Sequence, residues 1–166
     1  EKQLRQENII EVILNALKTS GLSTEFLEIE LTETAILDEF TIPIIKKFKD
    51  AKLSLAVDDF GTGYSGLSYL KRFSIDKLKI DQSFIKDIPE NNDSITIVSA
   101  ILAMAKELHV TTLAEGVETQ AQVDFLKSKN CDYVQGYFFS KPVESSQFTQ
   151  FLLQHRNKTE PAMVVD

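Results

Sequence analysis

The stretch LSLAVDDFGTGYSGLSYLKRFSIDKLKI, residues 53–80, decides the fold. It opens on LSLAV (53–57), a short apolar run of the kind that forms a strand buried on both faces. Asp58 and Asp59 close that run. A Gly-rich loop, Phe60, Gly61, Thr62, Gly63, Tyr64 and Ser65, then enters a short helix expected at 65–72. A second strand follows at KLKI (77–80). Strand, loop, helix and strand in that order make a parallel βα unit.

Reading outward, the same unit recurs. Toward the N-terminus, Leu4, Ile9, Ile10, Ile13, Leu14 and Leu17 form an apolar stripe that predicts a helix over 3–20, with Gly21 as a left-handed end. FLEIEL (26–31) reads as a strand, and 41–51 as a helix with Thr41 as N-cap and Pro43 in its first turn. Toward the C-terminus, Asp93 is the expected N-cap of a helix over 94–108, and VTTLA (110–114) is a strand. Thr119 is the expected cap of a helix over 120–129, a short strand at 132–135 ends at Gln135, and a last helix covers 145–155. Residues 156–166 read as a polar tail, leaving 1–155 as the folded unit. Strands beginning near 26, 53, 77, 110 and 132 fit either a doubly wound open sheet or a (β/α)8 barrel. Five βα units do not close an eight-stranded barrel, so a barrel would be incomplete.

Composition narrows the classes. With 18 Lys and Arg against 25 Asp and Glu in 166 residues, the net charge is −7, which argues against a broad contact with a nucleic acid polymer. A small phosphate ligand stays compatible, because a metal can supply positive charge locally. The one cysteine, Cys131, excludes an internal disulfide and reads as a packing residue. No apolar run reaches the roughly 18 residues of a membrane span, so direct membrane insertion is not expected. The chain opens on Glu1 without a secretory leader, and reads as a cytoplasmic protein or as a piece of a larger, membrane-anchored one.

Polar residues gather where strands end. Glu30, Asp58 with Asp59, Lys79 with Asp81, Glu115 and Gln135 close the five strands in turn, on the face where parallel α/β folds bind ligands. One acid at a strand end is ordinarily a helix cap. Several converging acids repel unless neutralised, and oxygen donors of this type suit Mg2+ or Mn2+. Lys79, between Leu78 and Ile80, is expected to point inward to that cluster, since a buried lysine needs partners. His109 and His155 close helices and carry no metal signature.

Five runs, ELTET (30–34), VDDFGTGYSGLSYLKRF (57–73), KLKID (77–81), LAEGVET (113–119) and YVQGYFFSKP (133–142), together resemble the EAL domain family. The resemblance spans about residues 3–152 and implies an incomplete TIM-type (β/α)8 barrel. It also implies Mg2+- or Mn2+-dependent hydrolysis of cyclic di-GMP to pGpG at a two-metal site. On that resemblance Glu30, Asp58, Asp59 and Glu115 are metal ligands. Lys79, Glu115 and Gln135 serve the attacking water, and Glu118 tethers the Phe60–Ser65 loop. Asp81 and Pro142 are placed on the substrate side.

Departures set further expectations. No Glu-Ala-Leu tripeptide occurs, and Asn8 and Asn15 lie on the first helix rather than on an early ligand strand. The chain therefore reads as the C-terminal two-thirds of the domain, weakly active or inactive alone. The Glu30–Asp58 segment is about two residues short, consistent with a trimmed loop near Phe40. Open strand edges predict a homo-oligomer or pairing with the remainder of a parent chain. The alternatives are an inactive cyclic di-GMP receptor or regulatory scaffold and, against the DFGTGYSGL loop, an enolase-type lyase using Lys79.

Overall fold

A computed structural model describes residues 3, 4, 6, 8–63 and 67–155. Helix α1 (Ile9–Ser20) leads through a 3-10 turn at Thr24–Phe26 into strand β1 (Glu28–Thr32). Then come α2 (Glu33–Leu37), α3 (Ile42–Asp50), β2 (Ser54–Phe60), α4 (Leu67–Arg72) and β3 (Lys77–Ile80). The chain continues through α5 (Gln82–Ile85), α6 (Asn92–Leu108), β4 (Thr111–Ala114), α7 (Gln120–Ser128), β5 (Tyr133–Val134) and α8 (Ser145–His155). The polar tail at 156–166 lies outside the described residues.

All strand pairs are parallel, in the order β1-β2-β3-β4-β5. A doubly wound sheet reverses its order at a switch point. This order follows the chain without reversal, as in an arc of a barrel. Registered partners share a face, and so do residues two apart. One face therefore carries Leu31, Leu55, Val57, Leu78, Ile80, Ala114 and Val134, none more than 4% exposed. Ile45 and Phe48 of α3, Val98 and Leu102 of α6, and Val123 and Leu126 of α7 complete this core. Each such aliphatic side chain contributes roughly 1.5–3 kcal/mol by burial. The opposite face carries Glu28, Glu30, Asp58, Lys77 and Lys79, so the sheet is apolar toward its helices and charged toward the barrel axis.

Caps explain where several helices begin. Thr119 Oγ1 accepts from Gln122 N in a capping box, as expected. The α6 cap is Asn91, two residues before the expected Asp93: its Oδ1 accepts from Asp93 N at 2.8 Å and Ser94 N at 3.2 Å. Thr41 makes no side-chain cap; it is buried in helical conformation, and Pro43 occupies the first turn of α3. Helix α1 begins at Ile9 rather than residue 3, and Leu14, placed on the apolar stripe, is exposed. Gly21 is left-handed at φ 71°, as its position required. Among the described residues, no helix is long and apolar enough to cross a membrane.

Candidate metal centre

The site grows from Lys79. Its backbone lies in the middle of the sheet, and its side chain is buried on the charged face. The ammonium meets Glu30 Oε1 of β1 at 2.8 Å, Asp58 Oδ1 of β2 at 2.8 Å and Glu115 Oε1, just past β4, at 3.0 Å. Burial lowers a lysine's pKa, but the bonds to Asp58, Glu30 and Glu115 outweigh it and hold Lys79 above its ordinary value. The same geometry acts on Glu115. Burial raises its pKa, Lys79 pulls it back, and Asp58 and Glu30 push it up again.

Asp58 and Asp59 should face opposite sides of a regular strand. A bulge brings them together. Val57 pairs with Leu78 and Phe60 with Ile80, so three steps on β2 oppose two on β3. Asp59 takes the extra position with φ 53°, a left-handed conformation that aspartate tolerates better than most side chains. Oxygens of Asp58, Asp59 and Glu115 then lie within 4.8 Å of one another. Burial, then Asp58 and Asp81, hold Asp59 above the usual carboxylate range. Burial also acts to raise Asp81, but hydrogen bonds from Ser83 and Asp59 bring it below that range. Asp58 Oδ1 is buried and, beside the Lys79 ion pair, has no aligned hydrogen bond. Three converging carboxylates with an under-satisfied oxygen fit a hard divalent cation.

The loop after β2 is held from a side the sequence reading missed. Glu33 Oε2 accepts from Gly61 N and Gly63 N, both at 3.2 Å, while Thr62 Oγ1 donates to Asp59 O at 2.8 Å. Glu33 is 6% exposed. Among the described residues, the side chain that ties Gly61 and Gly63 of this loop is Glu33, which the sequence reading does not assign to it. Strand order places it there: Glu33 follows β1, the neighbour of β2. The signal was present as the second acid of ELTET. Gly61, at φ 100°, also lies where a Cβ would meet the Phe84 ring at 3.0 Å. Phe60 is buried on the helix-facing side and serves the core. Tyr64 and Ser65 lie outside the described residues.

A cavity of about 340 Å³ opens over the strand ends, lined by Asp59, Asp81, Glu115, Glu118, Gln135 and Tyr137 among others. Gln135 also borders a second cavity of about 360 Å³ along the charged face, with Glu28, Glu30 and Lys77. Its backbone ties β5 to β4, donating to Ala114 O at 2.8 Å and accepting from Val117 N at 3.0 Å. Pro142 is exposed and is not among the residues lining either cavity. Glu118 sits on the rim with an exposed side chain.

Parallel strands, a bulged Asp-Asp pair and a lysine caged by carboxylates gather at the strand ends of a barrel arc, a donor set that could hold a hard divalent cation. The EAL domain sequence model matches residues 1–142, and the chain belongs to the EAL family. The chain is 42% identical over 162 residues to the cyclic di-GMP phosphodiesterase NbdA of Pseudomonas aeruginosa, covering 96% of this chain and 21% of that protein. Its fold matches the PaMucR phosphodiesterase in complex with c-di-GMP at a TM-score of 0.84 and 37% identity, covering 88% of this chain and 60% of that one. It also matches a manganese and cyclic di-GMP complex of Klebsiella pneumoniae BlrP1 at 0.78 and 34%, covering 84% and 36%. The chain spans about a fifth of the length of the curated relatives it matches. These neighbours settle the architecture as part of an EAL barrel.

Proposed function

We propose that this chain carries the metal-binding and water-positioning face of a phosphodiesterase that hydrolyses cyclic di-GMP to pGpG. The observation that carries it is Lys79, held between Glu30, Asp58 and Glu115 at 2.8–3.0 Å beside a three-carboxylate cluster. Asp58, Asp59 and Glu115 would hold Mg2+ or Mn2+, with Glu30 completing the set. When bound, the cation supplies Lewis-acid charge to the phosphodiester that no side chain here provides. Lys79 would hold the attacking water once a bound cation draws the carboxylates off its ammonium, which now contacts Glu115 directly. Glu115, its pKa raised chiefly by burial, accepts the water's proton as oxygen attacks phosphorus. The bond to one bridging 3′ oxygen breaks, that oxygen takes up a proton from solvent, and the ring opens to pGpG. Gln135 orients the phosphodiester from the cavity wall, with Asp81 on the substrate side.

Low turnover by this chain alone is part of the proposal, on the ground that its sequence contains no Glu-Ala-Leu tripeptide. A second reading, nucleotide binding without turnover, is favoured by the crowding of Lys79, whose ammonium lies 2.8–3.0 Å from three carboxylates. The deciding experiment incubates the chain with cyclic di-GMP and Mn2+ and resolves pGpG by chromatography, beside Glu115→Ala. Slow pGpG formation that disappears in the variant supports hydrolysis. Saturable nucleotide binding without product supports the second reading, and neither binding nor product would sink both.

A further inference from the structure

Gln122 lies on α7, outside the cluster, and is 4% exposed. Its amide uses both acceptor positions and both donors. Oε1 accepts from Glu118 N at 2.7 Å and Thr119 N at 3.0 Å, within its own loop. Nε2 donates to Ile85 O at 3.1 Å and Lys86 O at 3.3 Å, at the far end of α5. A helix cap requires only the first pair. The second pair joins the loop after β4 to the loop after β3. These two loops are the opposite walls of the metal-end cavity: one carries Asp81, the other Glu115 and Glu118. They already touch near the strand ends, where a Cβ on Gly116 would fall 2.6 Å from Gln82 Cβ. Contact at one end and two crossing hydrogen bonds at the other, from a side chain itself held by two more, tie the two walls together.

We infer that Gln122 is a positioning residue that locks the Asp81 and Glu115 walls into one rigid unit and so holds Glu115 in place against Asp59, the ligand that hydrogen-bonds Asp81. The functional consequence rests on the metal reading above; the lock itself does not. Amide side chains are suited to this task because they present a fixed donor pair and acceptor in one plane. Supporting residues of this kind govern metal affinity by orienting ligands they never touch.

Gln122→Glu tests it. The variant is nearly isosteric and keeps an acceptor for Glu118 N and Thr119 N, but turns a second acceptor toward two carbonyls. Gln122→Met, which keeps the volume and introduces no charge, is the second variant. Thr119→Ala is the control, since it removes the Oγ1 cap of the same helix and leaves the bridge intact. Amide hydrogen exchange on metal-free protein and calorimetric Mn2+ titration are the readouts. Both Gln122 variants should speed exchange in segments 81–86 and 115–119 together, and weaken Mn2+ binding about tenfold. Thr119→Ala should lower the melting temperature with both readouts unchanged. Unchanged exchange at 81–86 in the Gln122 variants, or equal loosening by Thr119→Ala, would overturn the lock. Failure of the unaltered chain to bind Mn2+ would overturn the metal reading, and exchange would still decide the lock.

Discussion

Lys79 supplies one positive charge at a point where three strands each deliver a carboxylate, so its removal has two opposed consequences. In Lys79→Met the three acids face one another unneutralised. Breaking a fully buried pair costs 3–5 kcal/mol, but Glu30 is 48% and Asp58 27% exposed at their side chains, so solvent recovers part of this. A loss of about 2 kcal/mol in metal-free stability is expected. Mn2+ should then raise the melting temperature of the variant more than that of the unaltered chain, because the cation takes over the missing charge. Equal shifts in scanning fluorimetry would count against the cluster as a cation site. Lys79 was legible in the sequence because a lysine flanked by Leu78 and Ile80 interrupts a buried run. The alliance of Asp58 with Asp59 was legible only as adjacency, since what points both inward is a bulge set by register against β3. Cys131 behaves as its lone occurrence predicted. Burial pushes its thiol up to about 11 from 9.0, and its Sγ donates to Tyr133 O at 3.2 Å. A pKa raised in the folded state contributes stability that is complete below 9.0 and is lost as pH rises toward about 11. Thiol reagents at pH 8 should therefore label Cys131 slowly until urea unfolds the chain; fast labelling of folded protein would contradict the burial.

At the scale of elements, the loop after β2 is organised by a helix too short to announce itself. Helix α2 has five residues and α5 four, fewer than the two turns over which an apolar period can be recognised. Strand β3 and helix α8 match their expected bounds because Leu78 and Ile80 alternate with Lys77 and Lys79 at strand period and Ser145 opens a long amphipathic run. The shift of the α6 cap from Asp93 to Asn91 reflects a run, Asn91-Asn92-Asp93, in which every side chain can cap and only backbone geometry chooses. Helix α2 matters because it presents Glu33 to two loop amides. Glu33→Ala leaves Gly61 N and Gly63 N without their acceptor and frees the turn that wraps Asp59 O. Mn2+ affinity should fall on the order of 10- to 100-fold. Glu33→Gln retains an acceptor oxygen and should keep most of that affinity. Calorimetric titration of the two variants separates them, and equal losses would show that charge, not the tether, is what Glu33 provides.

For the whole molecule, the open sheet sets the balance between folding and association. Among the described residues, β1 pairs only with β2 and β5 only with β4, so each leaves one parallel edge without a strand. Exposed apolar side chains flank both edges: Leu22 and Phe26 before β1, Tyr137, Phe138 and Val143 after β5. Singly these are ordinary, but beside unpaired backbone donors and acceptors they favour pairing with another strand. The opposing force is the net charge of −7, which repels a second copy. Salt distinguishes the two terms, since repulsion is screened over about 8 Å at physiological ionic strength while apolar burial is not weakened. The chain is therefore expected to self-associate with rising concentration, and more strongly at 0.5 M than at about 0.05 M salt. Phe26→Lys, at 72% exposure, adds a charge beside the β1 edge and should shift the equilibrium toward monomer without changing the melting temperature by more than a degree or two. Light scattering across both salts reads the outcome. A monodisperse monomer at every concentration would show that these edges are self-protected, and the apolar flanks would then need another explanation.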